Sequence, residues 1–227
     1  MRISQTILTF DTEPPLTGHG NSLRGFVASR FAECMLTHNH DKNGKPVYIY
    51  PRVQYRVIRG KGIVVGIEEG ASVVREIADM LKVINIKGTD HEIIEKIVHE
   101  KNVIFAPSEK QIRYCFARPW LALNENNYRE YLNLSRQKDK EELLRRILIG
   151  NILSIAKSLC CIVDLELRID AINLKGMESF LKGTPMLGFL GTFSVNFEIP
   201  DYWGIGKSVS RGFGMLSRVG NVPVWNK

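Results

Sequence analysis

Residues 47–87 read VYIYPRVQYRVIRGKGIVVGIEEGASVVREIADMLKVINIK. Val47 to Ile58 alternates sharply, which predicts a strand. Val47, Ile49, Val53 and Val57 fall on one side, the expected core face. Tyr48, Tyr50, Arg52, Gln54 and Arg56 fall on the other. Gly60 to Gly62 supplies a turn and Gly62 to Ile67 a second strand. Ala71 to Leu81 has the apolar spacing of a helix, and Val83 to Lys87 is a short strand. The unit is therefore ββαβ.

Upstream, Met1 to Asp11 alternates as a strand, and GHGNSL follows with Asn21 or Ser22 as the expected helix N-cap. Leu23, Phe26, Val27, Phe31, Cys34 and Met35 then recur at helical spacing. The first part of the chain is thus β-α-β-β-α-β, the ferredoxin-like pattern. Downstream the theme repeats less clearly. Residues 92 to 106 and 111 to 123 read as paired strands around PSEK. Asn124 to Leu134 and Lys138 to Leu159 read as helices, and Ile162 to Leu174 and Met186 to Ile199 as a strand pair. The expected fold is α+β, two tandem ferredoxin-like (RRM-like) domains over residues 1–95 and 96–227, with no Pro- or Ser-rich linker between them. A sheet of this kind can leave one face open, and RRM domains stack RNA bases on that face.

The composition fits a folded chain, with 44% hydrophobic and 24% charged residues, and the formal net charge of +7 biases it toward polyanions. The most apolar stretch, Ile147 to Val163, is broken by Asn151 and Lys157. It reads as a core helix and not as a membrane span. No signal peptide is expected at MRISQTILTF. Cys34, Cys115, Cys160 and Cys161 lack CxxC spacing and read as buried, reduced small residues in a cytoplasmic protein, with no metal site expected.

His38-Asn39-His40-Asp41 is the densest polar cluster, placed where the first helix should end. Two histidines in a turn suit proton transfer, since imidazole titrates near pH ~6.5. Equally, His38 can cap the helix and His40 sit in a solvated loop. The letters H-N-H do not make an HNH nuclease, whose metal ligands are spread over a ββα unit. Arg30 falls among Phe26, Val27 and Cys34 on the apolar side of the first helix. It is either a charge aimed at an anionic ligand or one snorkelling from the edge of the stripe. The tyrosine–arginine face of the strand after it offers stacking surfaces and phosphate contacts, or is an ordinary solvated face.

The last distinctive feature is Gly204-Ile205-Gly206-Lys207-Ser208-Val209-Ser210-Arg211-Gly212-Phe213-Gly214. Glycines allow close backbone approach and expose N–H groups. Lys207, Arg211, Ser208 and Ser210 add charge and donors, giving the look of a phosphate cradle. It fits neither the Walker A nor the Rossmann pattern.

The tail GIGKSVSRGFGML resembles the glycine-rich loop of Cas6 proteins of the RAMP superfamily. The order LRGFVASRF, HNH, YIYPRVQYRVI and GIVVGIEEG, with RPWLALN at Arg118 to Asn124, resembles the Cas6b branch. The resemblance implies a cofactor-free, metal-independent endoribonuclease cutting CRISPR precursor RNA within repeats. It implies catalytic roles for His38 and His40, a cationic helix residue at Arg30 and a tyrosine at Tyr48 or Tyr50. It also implies RNA contacts through Arg52, Arg56 and the loop from Gly204 and Gly206 to Gly214, including Phe213, and a homodimer holding precursor or mature guide RNA. Two other readings are open: a non-catalytic RNA-binding RAMP subunit of an effector complex, and a metal-dependent DNA nuclease.

Overall fold

The computed structural model describes residues 1–31, 34, 36 and 49–221. They form two compact units. The first is residues 2–104 with 209–212, and the second is residues 105–208 with 213–221 and Met1.

In the first unit β1 (Arg2–Glu13) leads to α1 (Gly20–Arg30), then β2 (Val53–Ile58), β3 (Lys61–Ile67), α2 (Glu69–Met80), β4 (Val83–Ile86) and β5 (Thr89–Ile104). The sheet order is β2-β3-β1-β5-β4, and each of its pairings is antiparallel. The helices follow from sequence spacing. Leu23 and Val27 of α1, and Val73, Val74, Ile77 and Ala78 of α2, bury against Leu8 and Phe10 of β1, Val53, Tyr55 and Val57 of β2, and Val64 of β3. Side chains two apart on a strand share a face, so one sheet face supplies this core. Gly66 and Gly70 let α2 lie close. A Cβ on Gly66 would stand 2.2 Å from the Gly70 carbonyl oxygen, and one on Gly70 would stand 2.1 Å from that of Arg52.

Three expectations change. First, α1 begins at Gly20 with His19 as N-cap, so the first turn starts before Asn21. Second, β5 belongs to the first sheet. It pairs with β1 from Glu92 to Ile104 and with β4 from Thr89 to Glu92, and is not a hairpin partner of 111–123. PSEK is no turn: it lies inside β6 (Ala106–Trp120), at a register shift between Pro107 and Ile112. The units separate between Ile104 and Phe105, and β5 runs through residues 95 and 96 without a break. Third, the described part of the tyrosine–arginine strand is buried throughout: every residue of β2 is buried, Gln54 and Arg56 included. The face expected to meet solvent is therefore covered.

In the second unit β6 is followed by α3 (Glu125–Asn133), α4 (Gln137–Ser158), β7 (Ile169–Leu181), β8 (Thr184–Glu198) and β9 (Leu216–Arg218). The sheet order is β7-β8-β6-β9. Both sheets therefore place the third strand of the unit between the second and the first, and close beyond the first with the chain's return, the ferredoxin-like arrangement in an α+β protein. The Asn124 side chain caps α3 by accepting from the Asn127 amide at 2.8 Å. The apolar run in α4 buries Ile147, Leu148, Ile152, Ile155 and Ala156. No described helix is long and apolar enough to cross a membrane. The cysteines are less buried than expected: Cys160 is exposed and the other three are intermediate.

Candidate nucleic-acid interface

The glycine-rich segment is held by packing on strands. In the second unit the Gly214 amide donates to the Pro119 carbonyl at 2.8 Å, the Lys207 amide to Leu121 at 3.2 Å and the Ile205 amide to Gly214 at 3.0 Å. Gly206 takes a φ of +90°, and a Cβ there would lie 2.5 Å from Trp120 Nε1. In the first unit Val209–Arg211 forms a 3-10 turn, closed by the Gly212 amide donating to Val209 at 2.9 Å. Gly212 has a φ of +96°, with the Tyr55 carbonyl oxygen 2.9 Å from where a Cβ would stand. The glycines therefore serve close approach to the protein's own Trp120 ring and Tyr55 backbone, and these four amides are used internally instead of cradling phosphate. What the loop offers a ligand is its side chains: Lys207 is exposed, while Ser208, Ser210, Arg211 and Phe213 are half-buried.

The 3-10 turn brings Arg211 to the start of α1. A Cβ on Gly20 would lie 2.2 Å from the Tyr55 carbonyl oxygen and 2.9 Å from that of Arg211, so helix, strand and turn meet at one glycine. Arg24, one helical turn on, sits within electrostatic reach of Arg211 and of the Tyr55 hydroxyl. Burial, and next the Arg211 cation, hold the Arg24 guanidinium below its ordinary value. Burial alone lowers Arg211. Burial raises the Tyr55 phenol, and the Arg24 cation partly offsets it. The Arg211 Nε and the Tyr55 hydroxyl are buried with no hydrogen-bond partner among the described residues. Two partly desolvated cations lie within electrostatic reach of each other here, an arrangement suited to an anionic ligand. His19 is exposed at the N-cap, directly before Gly20.

The other expected site residues are spread more widely. His38, His40 and Tyr48 lie outside the described residues. Arg30, expected on the apolar side of α1, is exposed at its last position, where a cation suits the helix dipole. It borders a cleft of about 550 Å³ lined also by Phe26, Lys82 and Asp90. Tyr50 is buried at 8% exposure. Arg52 is tied to Glu69 by Nε to Oε1 at 2.7 Å, and Arg56 donates to the Gln54 side-chain oxygen at 2.7 Å. Both arginines thus have a partner inside the first unit. Gly204 bridges to Met215. Among the described residues no three His, Cys, Asp or Glu side chains gather as a metal cluster.

Sequence reading missed Arg24 and His19. Both stood in the quoted motifs, but Arg24 gains meaning only when the chain brings Arg211 to it, and no spacing signals that meeting.

Two family models match the chain. The Cas6b N-terminal domain covers residues 1–104 and the Cas6b C-terminal domain residues 106–219. This chain belongs to the Cas6b family. A crystal structure of Cas6b is 36% identical with a TM-score of 0.89, covering 96% of this chain and 100% of that one. The crystal structure of a CRISPR RNA processing endoribonuclease Cas6b is 33% identical with a TM-score of 0.76, again over 96% and 100%. An uncharacterised protein of Methanocaldococcus jannaschii is 41% identical over 144 residues, 63% of this chain and 97% of that protein. A Cas6 product complex at 12% identity and a TM-score of 0.59 shares the fold alone. The boundary between the two Cas6b domains matches the structural break after Ile104.

Proposed function

We propose that this Cas6b protein is a metal-independent endoribonuclease that cuts CRISPR precursor RNA within its repeats and so matures guide RNA. Its family membership supports the enzyme class. The observation that carries the RNA reading is the Arg24–Arg211 pair, a cationic site built by α1 and the glycine-rich loop and suited to a phosphodiester.

The segment after α1 supplies the chemistry. The ribose 2′-OH attacks the adjacent phosphorus while the bond to the 5′ oxygen breaks, leaving a 2′,3′-cyclic phosphate (or 3′-phosphate) and a 5′-OH. One of His38 and His40 takes the 2′-OH proton, and the other protonates or stabilises the leaving oxygen. Arg30 supplies charge to the pentacoordinate phosphate without itself giving a proton, because guanidinium stays charged. Tyr48 or Tyr50 stands by the site. Lys207, Ser208, Ser210 and Arg211 hold the repeat backbone, and the working species is a homodimer.

The test is cleavage of the host's repeat RNA in excess EDTA, with the ends mapped. A single cut leaving 2′,3′-cyclic phosphate and 5′-OH is expected. A requirement for divalent metal, or 3′-OH and 5′-phosphate ends, would overturn the reading.

A further inference from the structure

β5 presents an open strand edge. On its inner side it pairs with β1 from Glu92 to Ile104. On its outer side β4 covers only Thr89 to Glu92, and the Ile93 amide closes that pairing by donating to the Lys82 carbonyl at 2.9 Å. From Ile94 to Ile104 no other strand lies alongside among the described residues. The aliphatic side chains there are exposed: Ile94 is 64% exposed, Ile97 43% and Val98 42%. A long edge carrying exposed aliphatic residues is a template for another strand.

The charges along this edge specify which strand. Residues 94–102 read IEKIVHEKN. Turned antiparallel on a second copy of itself about Val98, the segment sets Glu95 opposite Lys101 and Lys96 opposite Glu100, with Ile97 opposite His99. The neighbouring two-fold registers, about Ile97 or about His99, keep the side chains on their faces but leave neither Glu–Lys pair, setting Glu95 opposite His99 or Lys101 opposite Ile97. A parallel in-register pairing puts each charge beside its own kind, and like charges directly opposite are destabilising. Lys96 and Glu100 already have partners in their own chain, Lys96 with the Ala78 and Leu81 carbonyls and Glu100 with Arg75. The register therefore rests on Glu95 and Lys101, which are exposed and make no ion pair among the described residues.

We infer that two copies of this chain join edge to edge through β5, antiparallel about a two-fold axis at Val98, so that the two five-stranded sheets become continuous. Such an interface is isologous, each Glu95 meeting the Lys101 of the other copy. The inference deepens the homodimer proposed above. Its test reads mass and not cleavage, so a chain that fails to cut RNA can still support it.

The test is sedimentation of the full chain at micromolar concentration, with folding checked by circular dichroism. The wild-type chain is expected at twice its 25.8 kDa mass. Glu95→Lys and Lys101→Glu should each weaken the dimer by about tenfold, since each turns two symmetry-related attractions into repulsions. The combined Glu95→Lys/Lys101→Glu variant should restore it. In addition, Val98→Cys should give a disulfide-linked dimer on oxidation, because residues opposite each other across antiparallel strands lie about 4.5–5.5 Å apart at Cα, within disulfide range. A chain that stays monomeric, a dimer indifferent to the single reversals, or a combined variant that does not recover would overturn the assignment.

Discussion

The double variant His38→Ala/His40→Ala is expected to bind repeat RNA with near wild-type affinity and to leave it uncut. Each histidine carries a proton to or from one end of the same phosphoryl step, and general acid–base assistance is typically worth about 10²–10⁴ in rate. Single variants should therefore fall by about that factor, measured as single-turnover rates with enzyme in excess. The loss in the double variant should be less than the product of the single losses, because groups that act as a unit are not additive. Binding should survive, since the cations assigned to the phosphate backbone, Arg24 and Arg211, lie on α1 and on the 3-10 turn. Undiminished cutting by both single variants would remove the histidines from the mechanism. Lost binding in a folded double variant would make them RNA contacts instead.

The second large effect concerns Arg24 and Arg211. A hydrogen bond to a charged group contributes about 1.5–3 kcal/mol, so Arg24→Met or Arg211→Met should weaken repeat RNA binding by about 10- to 100-fold. Each substitution should also lower the salt dependence of the binding constant by about one phosphate contact. Stability should move the other way. Burial disfavours the charged form of Arg211 in the folded chain, and its buried Nε has no hydrogen-bond partner among the described residues, so removing that charge relieves a destabilising term and the thermal midpoint of Arg211→Met should hold or rise at low salt. A structural arginine would show the opposite pattern, with a lower midpoint and unchanged RNA affinity. That combination would count against the site.

The ββα unit that places this site was legible because its signals are local. Val53 and Val57 alternate with polar residues, and the apolar side chains of residues 71–81 recur at helical spacing. Both patterns survive in β2 and α2. The second strand face was misread for the opposite reason. Gln54 and Arg56 look solvated in any window of sequence, yet they are buried and hydrogen-bonded to each other. β5 was assigned to the wrong sheet because its exposed aliphatic residues, Ile94, Ile97 and Val98, give it the look of a hairpin strand, whereas its pairing with β1 is set by tertiary contact. The glycine-rich loop was recognisable by composition. That Gly212 and Gly214 serve the chain's own backbone, leaving ligand contacts to side chains, depends on where Tyr55 and Ile205 come to lie. The histidine pair is the part of the site carried by the sequence motif and the family it points to.

The central claim is that the RNA's own 2′-OH is the nucleophile. The most direct measurement uses a repeat RNA with a single 2′-deoxy nucleotide on the 5′ side of the scissile phosphate, assayed for binding and cleavage beside the all-ribose strand. The account predicts equal binding and no product from the deoxy strand. A deoxy strand cut at the same position would contradict it.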